Sequence, residues 1–383
     1  MRTHDLVDEV VDAELIDDDR LPAVRPGAVP AAPAPAHDPD AWLSDQAQED
    51  VKAGIADSTS TGYKGDMERF AAWCATVGRR PMPAASQTVT EYLSYLKRTP
   101  RPRTKKPYGP NSMDRIIAAI RSSHRAAGHE PPDTMGARKV VLGYRAELAE
   151  RKDPAAKPRK ATPADRTVLR RALRELDRTA LPGIRDAAVM LLGHAIASRG
   201  SELQPLDWPA NFTELPGGGL RVAVYRKKRK TWQDVDIPLD PDPELCADRA
   251  VRTLVAALAD NGYTSGPLFI RMDQHGYLNP PMQRHGRPIG DPTGRMTTEA
   301  LSDIVQRSIE RTGLPGHWRS HSTRRGFVKS SRNAGVDIVR IGRHGGWDDK
   351  SRALIGYVDE EDAAGENNPL SQIGKQAAES EAP

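Results

Sequence analysis

HSTRRGFVKSSRNAGVDIVRIGRHGGWDDKSRALIGYVDEED, residues 321–362, decides how the second half of the chain is read. Ser322 reads as a helix N-cap, since its hydroxyl can accept from a free N–H of the first turn. Gly335 reads as the stop, because glycine adopts the left-handed backbone that ends helices. SRALIGYV (351–358) reads as a last helix with Ala353, Leu354 and Tyr357 on one side. From about residue 297 the chain is therefore helical. Its helices carry polar residues, His321 and Arg324 above all, beside apolar ones.

Upstream, IRDAAVMLLGHAIA (184–197) is apolar on all sides and reads as a buried helix, preceded by the amphipathic PADRTVLRRALREL. Two runs of period-two alternation follow: Leu220, Val222, Val224, then Val235, Ile237, Leu239. The polar KKRKT between them predicts a β-hairpin with a Lys/Arg-rich tip, and PLFIRM predicts a further strand. Before this mixed region the period is helical. Tyr63, Met67, Phe70, Ala71 and Cys74 mark one face; Val89, Tyr92, Leu93 and Leu96 a second; Ile116, Ile117 and Ile120 a third; Val140, Val141, Tyr144 and Leu148 a fourth. The expected fold is mainly α with a small β-sheet, in the α+β class. The expected boundaries are a disordered acidic, Pro/Ala-rich tail at 1–43, a helical domain at 44–150, a basic linker at 151–163, a mixed domain at 164–375 and a short disordered tail at 376–383.

No apolar run approaches the roughly 18 residues of a membrane span, and the acidic start lacks the core of a signal peptide, so a soluble, cytoplasmic, nucleoid-associated protein is expected. Cys74 and Cys246 have no metal-ligand spacing and read as small buried hydrophobes. The net charge of +4 hides an asymmetry: residues 1–40 hold ten acids and three Arg, a net of −7, leaving +11 for the rest. Between Lys97 and Lys160 there are 17 Lys or Arg against six acids. A basic body points to a polyanionic partner. Arg101, Arg103, Lys105, Lys106, Arg121, Lys157, Arg159 and Lys160 are the candidate contacts for such a partner, a solvated basic linker being the alternative.

Arg199, Lys230, His321, Arg324, Trp347 and Tyr357 form a set able to handle a phosphodiester. Guanidinium forks match two phosphate oxygens and stay charged. They can neutralise a pentacoordinate transition state, a task performed elsewhere by metal ions. A phenol, with an ordinary pKa of about 10, needs positive charge or a base before it attacks. A positioned Lys can protonate a leaving 5′ oxygen.

The order Arg … Lys … His-x-x-Arg … Trp … Tyr resembles the tyrosine recombinases, or phage integrase family. RGSEL, with Glu202 three residues after Arg199, looks like the family's first Arg box. Lys230, eight residues before Pro238, fits the family's catalytic-lysine turn, with Lys228 the alternative. HSTRRGFVKSSRNAGVDIVRIGRHGGW resembles the second box, and GYVDEED supplies the tyrosine. STSTGYKGDMERFAAWC and AAIRSSHRAAGHEPP resemble helices of the family's core-binding domain; the resemblance spans about 44–375. Trp347 and Tyr357 stand one residue further apart than in many members. His344 competes for the Trp347 role, though Trp347 follows two glycines as the family residue does.

The resemblance implies a helical core-binding domain, a mixed catalytic domain and a site-specific recombinase. In it Arg199 and Arg324 clamp the scissile phosphate, Lys230 is the general acid and His321 an acid/base group. Trp347 hydrogen-bonds at the phosphate, Glu202 buttresses Arg199, and Tyr357 forms a 3′-phosphotyrosine. It further implies no cofactor, metal or ATP, a tetramer on two DNA sites, and a segment after Tyr357 that docks on a neighbouring subunit. An excisionase or host architectural protein is the expected accessory partner. Ala/Arg/Pro/Gly richness suggests a GC-rich genome and an integrase of an actinobacterial-like mobile element. A type IB topoisomerase and a non-catalytic DNA-binding relative are the alternatives.

Overall fold

The computed structural model describes residues 44–53, 57–102, 104–157, 159–348 and 351–364, with 368, 370 and 373 beyond them. The expected tails at 1–43 and 376–383, and Arg103, lie outside the described residues. Two compact units meet in sequence at Ala156 and Lys157.

The first unit is helical: α1 (Asp45–Ala53), α2 (Asp57–Thr76), α3 (Ser86–Arg98), α4 (Pro110–Ala126) and α5 (Met135–Glu150), closed by a 3-10 turn at Pro154–Ala156. Pro110 opens α4 at a position where its missing N–H costs nothing. Helix α2 packs on α4, and α3 on α5. Phe70, Cys74, Val89, Tyr92, Leu93, Leu96, Ile116, Ile117, Ile120, Val141, Tyr144 and Leu148 form the core, as the helical period predicts. Tyr63, Met67, Ala71 and Val140 are only half-buried, at the edges of their faces. Asp66 is fully buried, held by Arg69 and Arg115. Cys246, in the second unit, is buried like Cys74.

The second unit runs α6 (Arg166–Arg174), α7 (Leu181–Ala195), α8 (Gly200–Leu203), β1 (Asp207–Trp208), β2 (Phe212–Glu214), β3 (Leu220–Arg226), β4 (Thr231–Ile237), α9 (Ala247–Asp260), β5 (Gly266–Pro267), β6 (Gln283–Arg284), β7 (Arg287–Pro288), α10 (Thr298–Glu310), α11 (Ser320–Asn333), α12 (Ile338–Gly345) and α13 (Arg352–Ala364). The apolar α7 is wrapped by α9, α10 and α11, so its continuous hydrophobic run has no solvent face. Strands β2, β3 and β4 form an antiparallel sheet, with Leu220 opposite Ile237 and Arg226 opposite Thr231. Inward Leu220, Val222 and Val224 meet Val235 and Ile237. The protein is thus α+β, mainly helical. No helix among the described residues is long and apolar enough to cross a membrane.

Four local expectations are corrected. Ser322 is not the N-cap of α11; Arg319 is, and the Ser322 hydroxyl accepts the Arg319 N–H at 3.1 Å from the third helical position. On α13 it is Val358, with Leu354, that is buried, while Ala353 is exposed. Leu239 lies past the end of β4 and is 55% exposed. In PLFIRM only Pro267 belongs to a strand, β5 beside β1; Leu268, Phe269 and Ile270 are core.

The connector at 151–163 is structured at both ends. Its second half is tied to the start of α11: the Thr162 N–H donates to the His317 carbonyl (2.9 Å), and the His317 N–H to the Thr162 hydroxyl (2.8 Å). The Ala164 N–H donates to the Ser322 carbonyl (2.9 Å). Gly326 allows this approach, because a Cβ there would lie 1.8 Å from the Ala164 carbonyl oxygen.

Candidate active site

The turn after α7 sets the first arginine. Ala197 takes φ +47, and Arg199 then caps α8. Its backbone N–H and its guanidinium both bind Glu202, three residues on. Glu202 is completely buried and also receives Arg226 (3.0 Å) and faces Arg324 (3.8 Å). Burial alone would push its carboxyl up, but Arg199, Arg226 and Arg324 outweigh that and hold it below the usual carboxylate range.

Arg324, fully buried as the fifth residue of α11, donates to the carbonyls of Ala197 and Gly345. Its guanidinium carbon sits 3.5 Å over the Trp347 ring. Its Nε and Nη2 have no hydrogen-bond partner among the described residues, an arrangement that costs free energy unless an anion satisfies it. Burial, then the neighbouring charges of Arg199 and Arg226, pulls this guanidinium down to about 9.

His321 precedes Arg324 by one helical turn. Its Nε2 lies 2.9 Å from the Tyr357 hydroxyl. Burial, then the positive charges of Arg324, Arg199 and Arg325, pushes the imidazole down to about 4. The ring is therefore neutral near pH 7 and can accept the phenol proton. Helix α13 is fixed by Leu354 and Val358, which pack with Ala197, Val328, Ile341 and Trp347. The Tyr357 ring is set edge-on to Trp347 at 6.2 Å, with the Arg325 guanidinium 5.0 Å from its centroid. Tyr357 and His321 line a cleft of about 490 Å³ with Arg159, Lys160, Arg319, Arg325 and Arg352.

Arg199, Glu202, Arg324, Trp347, Tyr357 and His321 thus form one contiguous cluster. Lys228 and Lys230 are exposed at the hairpin tip, Lys230 with φ +54. In the same turn Arg229 donates to the Trp347 carbonyl at 3.2 Å. His344 is engaged elsewhere, stacked on Phe327 at 4.7 Å with Nε2 2.6 Å from the Ala195 carbonyl. Of the basic residues expected to touch DNA, Arg159 and Lys160 line the cleft and Lys157 is exposed. In the helical unit Lys105 and Lys106 are exposed, Arg101 lies over the Tyr108 ring, and Arg121 donates to the Pro132 carbonyl at 3.3 Å.

Sequence reading missed Arg226. It is 1% exposed and binds Glu202, Gln233 (2.9 Å) and the carbonyls of Ile196 (3.1 Å) and His344 (3.0 Å). The signal was present: period two along LRVAVYR puts Arg226 on the face of Leu220, Val222 and Val224. Gly346 makes room for it, with φ +65 and a would-be Cβ 2.7 Å from its Nε. No group of three or more His, Cys, Asp or Glu that could hold a metal ion occurs among the described residues.

The profile of the Phage integrase family matches residues 165–363. The chain is 27% identical over 346 residues to an integrase/recombinase XerD homolog of Selenomonas ruminantium, covering 86% of this chain and 89% of that one. It is 24% identical over 287 residues to the Cre recombinase of Escherichia phage P1, covering 73% and 77%. A solved lambda integrase dimer bound to a COC′ core site superposes with a TM-score of 0.49 at 15% identity, over 82% of this chain and 93% of that one. With more than half of its length matched by the family profile, the chain belongs to the phage integrase family.

Proposed function

We propose that this recombinase cuts and rejoins double-stranded DNA at specific sites by transesterification, with Tyr357 as nucleophile. The observation that carries the reading is the Tyr357 hydroxyl 2.9 Å from a neutral His321, beside the buried, incompletely satisfied Arg324. The phenol oxygen bonds to the scissile phosphorus as its proton passes to His321. The phosphorus–O5′ bond breaks, and Lys230 protonates the departing 5′ oxygen. The product is a 3′-phosphotyrosine and a free 5′ hydroxyl. A 5′ hydroxyl from a partner strand reverses the step. One phosphodiester replaces another, so no ATP enters the balance.

Arg199 and Arg324 hold the two non-bridging oxygens, and Glu202 fixes the facing edges of their guanidinium groups. Trp347 supports Arg324 by ring stacking and binds the phosphate through its indole N–H. A His321 ring ringed by arginines resists protonation until the phosphate brings negative charge. Proton transfer is thereby tied to the presence of DNA. Arg159 and Lys160 from the cleft, with Arg101, Lys105 and Lys106 from the helical unit, supply phosphate contacts. A tetramer on two sites, aided by an excisionase or architectural protein, completes the exchange.

A nicked suicide substrate tests this. Wild-type protein should give a covalent protein–DNA band that Tyr357→Phe abolishes, and Arg324→Ala should bind DNA without cutting. Absence of the band from wild-type protein on its own site would overturn the reading. Relaxation of site-free supercoiled DNA without strand exchange would replace it by the topoisomerase alternative.

A further inference from the structure

The helical unit carries a cleft of about 860 Å³ whose aromatic lining the reaction above does not use. Buried Tyr92 and Leu96 of α3 floor it, and Trp73, Tyr95 and Tyr108 wall it. The Trp73 ring lies 5.0 Å from Tyr92 and 5.9 Å from Tyr95. Tyr95 is 43% exposed, although it is aromatic and belongs to this cluster. The rim is basic: the Arg101 guanidinium lies 5.1 Å over Tyr108, and exposed Lys105 and Lys106 follow. Aromatic-lined grooves with a polar rim suit proline-rich chain in the polyproline II form. That form has three residues per turn and little ordering cost left to meet.

The chain supplies such a ligand itself. Residues 26–36, PGAVPAAPAPA, place Pro30 and Pro33 one polyproline turn apart. Before them, residues 5–19 hold eight acids and no Lys or Arg, opposite in sign to the cleft rim. The stretch from Pro33 to Ser44 can extend to roughly 36–40 Å, more than the about 30 Å diameter of a small domain. Covalent attachment also raises the effective concentration to about the millimolar range. We propose that the aromatic cleft binds residues 26–36 of its own chain in extended polyproline form, which brings the acidic stretch 5–19 to the basic turn at Arg101–Lys106.

The test uses the full chain with a benzophenone amino acid in place of Ala32, irradiated as an equal mixture of light and nitrogen-15-labelled protein. Cross-links should map to Trp73, Tyr95 or Tyr108 and join light to light and heavy to heavy. The variant Pro30→Gly/Pro33→Gly/Pro35→Gly, which touches none of the packed residues described above, should lower the yield at least about fivefold, as loss of about 1 kcal/mol would. Tyr95→Ser should do the same with an unchanged circular dichroism spectrum. Cross-links scattered over the surface, or insensitive to the proline variant, overturn the proposal. Cross-links joining light to heavy chains overturn it in favour of a second copy as occupant.

Discussion

Glu202 and His321 sit in the same cluster of arginines and respond oppositely: the carboxyl is held charged, the imidazole neutral. In the DNA-free protein the His321 ring resonances should therefore titrate near pH 4 by NMR; a midpoint at 6 or above contradicts the burial described here. Glu202→Gln leaves Arg199, Arg226 and Arg324 without their shared countercharge. Removing one partner of a buried ion pair costs about 3–5 kcal/mol, so urea unfolding of the catalytic unit should shift by that amount, and a loss below about 1 kcal/mol would show the network to be dispensable. Most of this cluster was legible because its residue types occur in a fixed order along the chain. Arg226 was not: an arginine beside four further basic residues reads as part of a solvated tip, and only strand register shows that it turns inward. Asp66 escaped for a similar reason, since helical period marks apolar faces and is silent about a buried carboxylate held by Arg69 and Arg115.

At the scale of elements, the β3–β4 hairpin is held to its surroundings near its tip, while its lysines stay exposed. Gln233 donates to the Arg343 carbonyl at 2.7 Å, and Arg229 to that of Trp347. If Lys230 protonates the 5′ oxygen, Lys230→Ala should cut a normal substrate poorly yet cut a 5′-bridging phosphorothioate well, because a thiolate leaves without a proton. Lys228→Ala should be near normal on both; rescue of Lys228→Ala instead would transfer the role. Period-two alternation made the hairpin legible but not its ends, so Leu239 was placed inside it. The interval from Trp347 to Tyr357 is one residue longer than in many members of the family. Helix α13 begins only at Arg352, and the hydroxyl still meets His321.

Across the whole molecule, three histidines of the catalytic unit are held neutral: burial pushes His194 and His321 to about 4 and moves His344 down as well. Their unfolded pKa, about 6.5, is higher, so the unfolded chain takes up protons that the native one refuses. Their share of the stability should be intact above pH 6.5, fall as pH drops towards 4 and then level off, by up to about 1.4 kcal/mol per histidine per pH unit, while the depressed carboxyl of Glu202 goes on losing stability below that. Unfolding midpoints at pH 7 and pH 5 check this; equal midpoints would contradict it. Deleting residues 1–40 removes a net charge of −7 and should tighten non-specific DNA binding and steepen its salt dependence, whereas unchanged binding curves would assign that charge no part in it. The unusual composition of 151–163 was visible in the sequence. Its attachment was not, since backbone hydrogen bonds between Thr162 and His317, and between Ala164 and Ser322, leave no mark on residue type. That attachment has a mechanical meaning. A pull on the connector is not spent at the edge of the catalytic unit; the load arrives at the first turn of α11, which holds His321 and leads into Arg324. Force carried by that segment is delivered to the helix that holds both residues.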